Sequence, residues 1–334
     1  MINNYMFHIY LGDNVEDDST TRLNVHGRKF STNLNTDKQV WDEIVDKAIE
    51  LGFNSVLIEL ADGVRYKSHP EIAVEGAWEV EELKEELQRL REKGLTPYPK
   101  LNFSTAHDAW FGVYSKMVST RFYYPVVKDL INEVIDIFDT PEMFNFGFDD
   151  EHRHSQVRYD YACYRQNDLY WHDYRFILDT IREQGVRPWT FVDPYIVDPE
   201  RFLEETDKDV VISPDYYRAS IYEDESTKRP KANADLMKKL ASLKELPELG
   251  YEIIPFCTTY VHKYNVKQTV KYVNENVPNE SVKAILVSAM QHTVKLRKFL
   301  HFEALNMVKY ARADLGSGKI LGYRSESKYG QNMR

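Results

Sequence analysis

Short apolar runs alternate with longer segments of helical periodicity along the whole chain. Apolar runs of this length, separated by polar segments, are typical of strands. Eight such runs are found, at Met6–Leu11, Phe53–Leu60, Leu95–Phe103, Phe144–Phe148, Arg187–Val192, Val210–Pro214, Tyr251–Thr259 and Ala284–Ala289. Because the runs are continuously apolar, with no alternation of polar residues, we expect both faces of the sheet to be covered.

Each apolar run is followed by a segment in which apolar residues recur at helical spacing. In the first of these, apolar residues from Val40 to Ile49 share one face, and Gly52 offers a C-terminal stop. The other predicted helices lie near residues 82–93, 126–138, 174–185, 199–204, 233–243, 266–273 and 294–311. Strict alternation of strand and helix predicts an α/β fold, a (β/α)₈ barrel, with a doubly wound open sheet as the alternative.

The predicted barrel forms a single domain over residues 1–315, because no linker-like segment interrupts it. Residues 316–334 are rich in Gly, Ser and Lys, and we expect an extension that packs on the surface or is partly disordered.

Charge and cysteine content narrow the class of protein. The net charge is −10 in 334 residues, and no basic block stands out, so a nucleic-acid partner is not expected. Two cysteines, Cys163 and Cys257, form no CxxC motif, which fits a reducing compartment.

The N-terminus has no basic segment before its short apolar run, and no stretch reaches the length of a membrane span. We therefore expect a cytoplasmic protein that does not associate with membranes, although removal of a leader would leave the same pattern. No GxGxxG or P-loop follows a strand, so no cofactor is expected. No pattern in the sequence addresses the oligomeric state.

Carboxylates and aromatic residues are concentrated in and after the predicted strands. In a (β/α)₈ barrel the site lies at the carboxyl ends of the strands. Carboxylates accept bonds from hydroxyl groups and aromatic rings pack on sugar faces, so this set suits a carbohydrate ligand. The candidate substrate-binding residues are Asp13, Asp62, His107, Asp108, Trp110, Trp189, Asp193, Tyr195, Asp215, Tyr216, Tyr260 and Gln291. The alternative for any single aromatic residue is that it caps a large barrel.

Three consecutive carboxylates, Asp149, Asp150 and Glu151, follow the fourth strand in the stretch FNFGFDDEHRH. Like charges at one point repel each other, so such a cluster is usually solvated, metal-bound or catalytic. Glycoside cleavage uses two carboxyl groups, and a neighbouring anion raises the pKa of the one that must stay protonated. The three residues are therefore the candidate catalytic groups of a glycoside hydrolase.

Strand parity bears on which of the three carboxylates meet. Bulky Phe144, Phe146 and Phe148 are expected to face the helices, which leaves Asp149 on the interior side. A strand that continued would place Glu151 on that side too, whereas a turn after Phe148 would break the parity.

Three stretches resemble the family-20 β-N-acetylhexosaminidases over about Phe53–His152. They are FNSVLIELADG, GLTPYPKLNFSTAHDAWFG and VVKDLINEVIDIFDTPEMFNFGFDDEH. The last resembles the helix and fourth strand that end in a His-x-Gly-Gly-Asp-Glu motif. This chain departs from that motif, because it has no motif His and only one of the two glycines.

The resemblance implies roles for particular residues. It makes Glu151 the general acid, Asp150 the group that orients a substrate acetamido group, and His107 the histidine of the third-strand loop. Parity instead pairs Asp149 with Glu151, and both pairings stay open. The implied activity is that of a retaining hydrolase in which the acetamido group of a terminal 2-acetamido sugar attacks the anomeric carbon. Arg22 and Arg28 are distant candidates for a sugar-binding arginine.

Two other functions stay open. The stretch DDEHRH contains residue types that bind divalent cations, so a metal-dependent sugar isomerase or hydrolase is the first alternative. His8 and Asp13, or His107 and Asp108, are the residues that would complete such a site. A noncatalytic carbohydrate-binding barrel is the second alternative.

Overall fold

The computed structural model describes residues 1–16, 29–157, 159, 161–217, 221 and 234–317. Eight strands form the central sheet. They are β1 (Tyr5–Tyr10), β2 (Ser55–Glu59), β3 (Thr96–Lys100), β4 (Met143–Asn145), β5 (Arg187–Phe191), β6 (Val211–Ser213), β7 (Phe256–Thr258) and β8 (Ile285–Ser288).

All neighbouring strands in this sheet are parallel, in the order β6-β5-β4-β3-β2-β1-β8-β7. Isolated parallel bridges from Ile212 to Ile253 and from Asp215 to Phe256 connect β6 to the β7 segment. These bridges close the ring. The predicted (β/α)₈ barrel is confirmed, and the open sheet is wrong.

Nine α-helices are found in the described ranges. They are α1 (Lys38–Glu50), α2 (Val80–Glu92), α3 (Tyr123–Ile137), α4 (Asn167–Arg182), α5 (Asp193–Val197), α6 (Pro199–Glu205), α7 (Ala234–Glu248), α8 (Asn265–Asn276) and α9 (Lys298–Ser317). The short α5 was not predicted. It begins directly after β5 with Pro194 in its first turn, where proline is pre-organised for a helix.

A small parallel sheet of Val64–Arg65 and Trp78–Glu79, inserted between β2 and α2, was also missed. Nowhere in the part of the chain that the structure describes is a helix both long and apolar enough to cross a membrane. Arg22, Arg28 and residues 318–334 of the predicted extension lie outside the described residues.

The core has two layers, one between the sheet and the helices and one inside the barrel. Phe146 and Phe148 belong to the outer layer, where both rings pack against Tyr174 of α4. The predicted outward orientation of these phenylalanines is confirmed. The interior layer is formed by Met6, Leu57, Tyr98, Met143, Trp189, Phe191, Val211, Ile254, Phe256, Ala284 and Leu286.

The chain turns sharply after β4. Gly147, Phe148 and Asp150 have φ values of 72°, 69° and 55°, in the left-handed region that costs a non-glycine residue about 1–2 kcal/mol. A methyl group on Gly147 would lie 1.8 Å from Oδ1 of Asn102, so only glycine fits beside the β3 loop. The turn breaks the alternation of the strand before it reaches Glu151.

We predict that Gly147→Ala destabilises the protein more than Gly94→Ala does. Both glycines have positive φ, but nothing lies within 4 Å of a methyl group on Gly94. Gly94→Ala should therefore cost about 1–2 kcal/mol from backbone strain alone, whereas Gly147→Ala should add about 1–3 kcal/mol from overpacking. Chemical denaturation of the two variants measures the difference, and equal costs would contradict the close approach to Asn102.

Candidate active site

The turn after β4 brings Asp149 and Asp150 to His107, which lies in the loop after β3. Nε2 of His107 is 3.4 Å from Oδ2 of Asp149 and 3.6 Å from Oδ2 of Asp150. Asp149 also accepts hydrogen bonds from Oγ of Ser104 at 2.6 Å and Nδ2 of Asn102 at 3.1 Å. All three charged side chains are partly exposed, with 20–25% of each accessible. They form a group at the mouth of the barrel that a ligand can reach.

The charges in this group stabilise each other. Burial raises the pKa of Asp149, but the charge and hydrogen bond of His107 outweigh burial and hold that pKa well below its usual range. Burial also raises the pKa of Asp150, but the hydrogen bond and charge of His107 outweigh burial and lower that pKa to about 2. Burial lowers the pKa of His107, yet the two carboxylates raise it well above its usual value. At neutral pH the group therefore contains two carboxylates and one imidazolium.

The pH range of this arrangement follows from the signs of the shifts. The raised pKa of His107 means that its contribution to stability is lost as the pH rises through that raised value. The lowered pKa of Asp150 means that its contribution is present above the ordinary value of 3.8 and is lost as the pH falls towards about 2. The group is intact across neutral pH.

Glu151 points away from the mouth. Its side chain is 1% exposed and forms an ion pair with Nη1 of Arg165 at 2.5 Å. Its carboxylate also accepts hydrogen bonds from N and Oγ1 of Thr105, at 2.7 and 3.0 Å, and from N of Arg165 at 3.3 Å. Both oxygens are thus fully bonded within the protein, and the geometry favours a positioning role for Glu151 over that of the general acid.

Asp193 and Asp215 lie on the other side of Asp150, at the carboxyl ends of β5 and β6. Nζ of Lys239, on α7, is 3.0 Å from Oδ2 of Asp193 and 2.9 Å from the carboxylate of Asp215. Burial raises the pKa of Asp193, and it raises that of Asp215 to about 8, although Lys239 opposes both shifts. The amide N of Asp150 lies 3.4 Å from Oδ1 of Asp193, so this cluster adjoins the His107 group.

A further acidic cluster lies at the ends of β1, β2 and β8. Oδ2 of Asp13 is 3.0 Å from Nδ1 of His292, and Asn14 donates to Oδ2 of Asp62 at 2.5 Å. Burial and the charge of Asp13 raise the pKa of Asp62 to about 7. Gln291, also predicted for the site, is buried beside His292 in the chain.

The remaining predicted residues fall into different environments. Trp110 is buried against Phe103 and Phe111, and Tyr195 packs on Phe202 while its hydroxyl donates to Glu245, so neither lines the mouth.

Four more of the predicted residues lie below or beside the mouth. Trp189 lies inside the barrel and Tyr216 is buried after β6, whereas Tyr260 is partly exposed after β7. Asp108 is buried near Arg165, and burial raises its pKa well above the usual range.

Sequence reasoning missed Glu59, Lys100, Arg165 and Lys239. Glu59 and Lys100 follow the interior residues Leu57 and Tyr98 by two positions, so strand parity was a usable signal for both. Arg165 and Lys239 lie far along the chain from the carboxylates that they bind, and no local pattern marks them.

A metal ion is a second possible occupant of the His107 group. Ligand atoms of His107, Asp149 and Asp150 lie within 4.8 Å of one another, and within the described ranges this is the one cluster of that kind. The residue types fit a divalent cation, but such a cation would have to displace the proton that both carboxylates hold on His107.

The fold is shared with solved glycoside hydrolases. A family-20 exo-β-N-acetylglucosaminidase from Vibrio harveyi, in complex with N-acetylglucosamine, matches 94% of this chain at 14% identity with a TM-score of 0.57. A β-N-acetylhexosaminidase from Bacteroides fragilis matches 95% at 13% identity with a TM-score of 0.58. The N-acetyl-β-hexosaminidase of Streptomyces plicatus, in complex with Thio-NAglucal, matches 92% at 12% identity with a TM-score of 0.57.

The chain spans 57%, 70% and 63% of these three structures, respectively. No family model matches the sequence. No curated protein matches it either. The resemblance drawn from the strand-end motifs is confirmed, at low sequence identity, as a likeness of fold to the family-20 enzymes.

We predict that Glu151→Gln lowers the free energy of unfolding by about 3 kcal/mol or more, because the buried positive charge of Arg165 loses one of its two negatively charged partners. The control is Glu81→Gln, whose partner Lys67 and own side chain are 66% and 69% exposed, and which should leave stability unchanged. Urea denaturation monitored by tryptophan fluorescence compares the two. A Glu151→Gln variant as stable as the wild type would refute the positioning role.

Proposed function

We propose that the protein is a glycoside hydrolase that acts on terminal 2-acetamido-2-deoxy-hexosides, with retention and with the acetamido group as nucleophile. The observation that carries the proposal is the group of Asp149, His107 and Asp150 at the mouth of the barrel. Two carboxylates there share one proton with an imidazole, and such a group can act as a general acid and base at a glycosidic oxygen.

Unbonded polar atoms support a polyhydroxylated ligand. Buried polar groups in proteins nearly always have a hydrogen-bond partner. Among the described side chains, atoms without one are concentrated at the carboxyl ends of the strands. They include Oδ1 of Asp13, Oε1 of Glu59, Oδ1 of Asp62, Nδ2 of Asn145 and Nε2 of His292. A sugar supplies several hydroxyl groups at once, each both donor and acceptor.

Asp149 and Asp150 have different roles in the proposed reaction. Asp149 is held by Ser104 and Asn102, so it is a fixed acceptor suited to the acetamido N–H. Asp150 is held less tightly, because its Oδ2 is 3.6 Å from Nε2 of His107 and its Oδ1 is 3.6 Å from Nε2 of His152, so it is suited to passing a proton.

The reaction balances with these two groups. The acetamido oxygen bonds to the anomeric carbon as the glycosidic bond breaks, and the leaving oxygen takes a proton that passes from Nε2 of His107 through the carboxylate of Asp150. Water then attacks the same carbon, and its proton returns through Asp150 to His107. Two displacements at one carbon retain its configuration. No second carboxylate is needed across the sugar ring, because the nucleophile belongs to the substrate.

We predict hydrolysis of aryl 2-acetamido-β-glycosides with retention, and inhibition by a thiazoline analogue of the cyclised intermediate. The analogue resembles the transition state, which the site should bind more tightly than the substrate. Chromogenic assays and proton NMR of the first-formed anomer provide the readouts. Equal rates on the matching glucosides together with no thiazoline inhibition would refute the acetamido mechanism.

The variant Asp150→Asn tests in the same assay whether Asp150 relays the proton from His107. Its turnover should fall by about 10²–10⁴-fold on a poor leaving group and much less on a good one, because only the poor leaving group needs protonation. The matched control is Asp168→Asn, at an exposed position on α4. If Asp150→Asn and Asp168→Asn behave alike on both leaving groups, Asp150 does not relay the proton.

A further inference from the structure

A polar layer fills the barrel interior directly beneath the mouth. The interior apolar layer includes Met6, Leu57, Tyr98 and Met143, on β1 to β4. Side chains two positions further along a strand point to the same side. His8, Glu59, Lys100 and Asn145 occupy those positions, and each is at most 5% exposed. We call these four residues the floor cluster.

Contacts inside the floor cluster leave two polar atoms without a partner. Oε2 of Glu59 is 2.5 Å from Nζ of Lys100 and 3.5 Å from Nε2 of His8, whose Nδ1 is 3.2 Å from Oγ of Ser288. Oδ1 of Asn145 accepts from the amide of Gly147 at 3.1 Å. Oε1 of Glu59 and Nδ2 of Asn145 make no hydrogen bond.

Stability does not account for this arrangement. A buried ion pair is often no better for stability than apolar side chains of the same volume, and each buried polar atom without a partner costs about 1–3 kcal/mol. The layer below is apolar and would have allowed an apolar floor. A bound group that completes these bonds explains why the floor is polar.

The chemistry of the two atoms specifies that group. Glu59 offers an acceptor and Asn145 offers a donor. His8 is neutral at neutral pH, because burial lowers its pKa to about 4, and its two ring nitrogens face Ser288 and Glu59. A hydroxyl group is both a donor and an acceptor, and it fits this set. Lys100 pairs with Asn145 across β3 and β4, and Asn102, two residues after Lys100, donates to Asp149 at 3.1 Å, so the floor lies next to the carboxylates of the mouth.

We propose that the floor cluster is a specificity subsite that binds one hydroxyl group of the terminal sugar, which donates to Glu59 and accepts from Asn145. The inference rests on the proposed function in taking a sugar as the ligand. Beyond that function, the inference identifies the residues that bind one hydroxyl group of the sugar. An ordered water molecule is the other group that meets the same requirements, and it is an outcome of the test.

The experiment is calorimetric binding of N-acetylglucosamine and its 3-, 4- and 6-deoxy analogues to the wild type and to the double variant Glu59→Met/Lys100→Met. The double variant removes both charges together, so no uncompensated ion remains in the interior. One deoxy analogue should bind the wild type about 10- to 100-fold more weakly than the parent sugar, as expected for a hydrogen bond to a charged group. The double variant should bind that analogue and the parent equally.

The control is Asn132→Ala, which removes another unbonded polar atom on α3, outside the barrel, and should preserve the discrimination. Should the double variant fail to fold, Glu59→Gln serves, because it keeps the shape and should weaken the discrimination several-fold. Equal binding of all analogues by the wild type, or the same discrimination in the double variant, would overturn the subsite and leave a water molecule in the floor.

Failure of the subsite and failure of the proposed function are separable. Discrimination among the analogues without hydrolysis of any aryl glycoside would refute the hydrolase and support the subsite. Hydrolysis without discrimination would do the reverse. If neither the wild type nor the variants bind N-acetylglucosamine, the subsite is overturned along with its ligand.

Discussion

The ion pair between Glu151 and Arg165 is the interaction on which the candidate site depends. Arg165 also bonds to Asp173 of α4 at 2.7 Å, to the carbonyl of Phe103 at 3.1 Å and to the hydroxyl of Tyr123 at 2.7 Å. Burying the charges of Glu151, Arg165 and Asp173 would cost several kcal/mol for each ion if the ions were not paired and hydrogen-bonded. All three are paired here, and their bonds connect the segment after β4 to the β3 loop, α3 and α4.

This anchor explains how three consecutive carboxylates coexist at the end of a buried strand. Glu151 is drawn outward to Arg165, which forces the chain between it and β4 to turn. Asp149 and Asp150 are left at the mouth, where His107 lies between them. Each of the three carboxylates therefore lies beside a positively charged group. Asp149 and Asp150 contact His107, and Glu151 contacts Arg165. The same scheme recurs at Asp193 and Asp215, which share Lys239, and the mouth remains acidic overall.

The barrel could be predicted because the period of apolar residues reports directly on strands and helices. The outward orientation of Phe146 and Phe148 followed from the same rule. The orientation of the Glu151 side chain could not be predicted, because it depends on positive φ values at Phe148 and Asp150. Positive φ is uncommon for residues other than glycine, and the residue type alone does not indicate it. Partners from distant segments decide the charge states in the site. Arg165 and Lys239 are such partners, and a single sequence does not show which carboxylates they meet.

In the proposed site, Asp149 and Asp150 face the ligand while Glu151 belongs to the framework. A crystal structure of the complex with a thiazoline inhibitor tests it most directly. We expect carboxylate oxygens of Asp149 and Asp150 at about 3 Å from polar atoms of the inhibitor, with Glu151 still paired to Arg165. An inhibitor that bonds to Glu151, with Arg165 displaced, would contradict it.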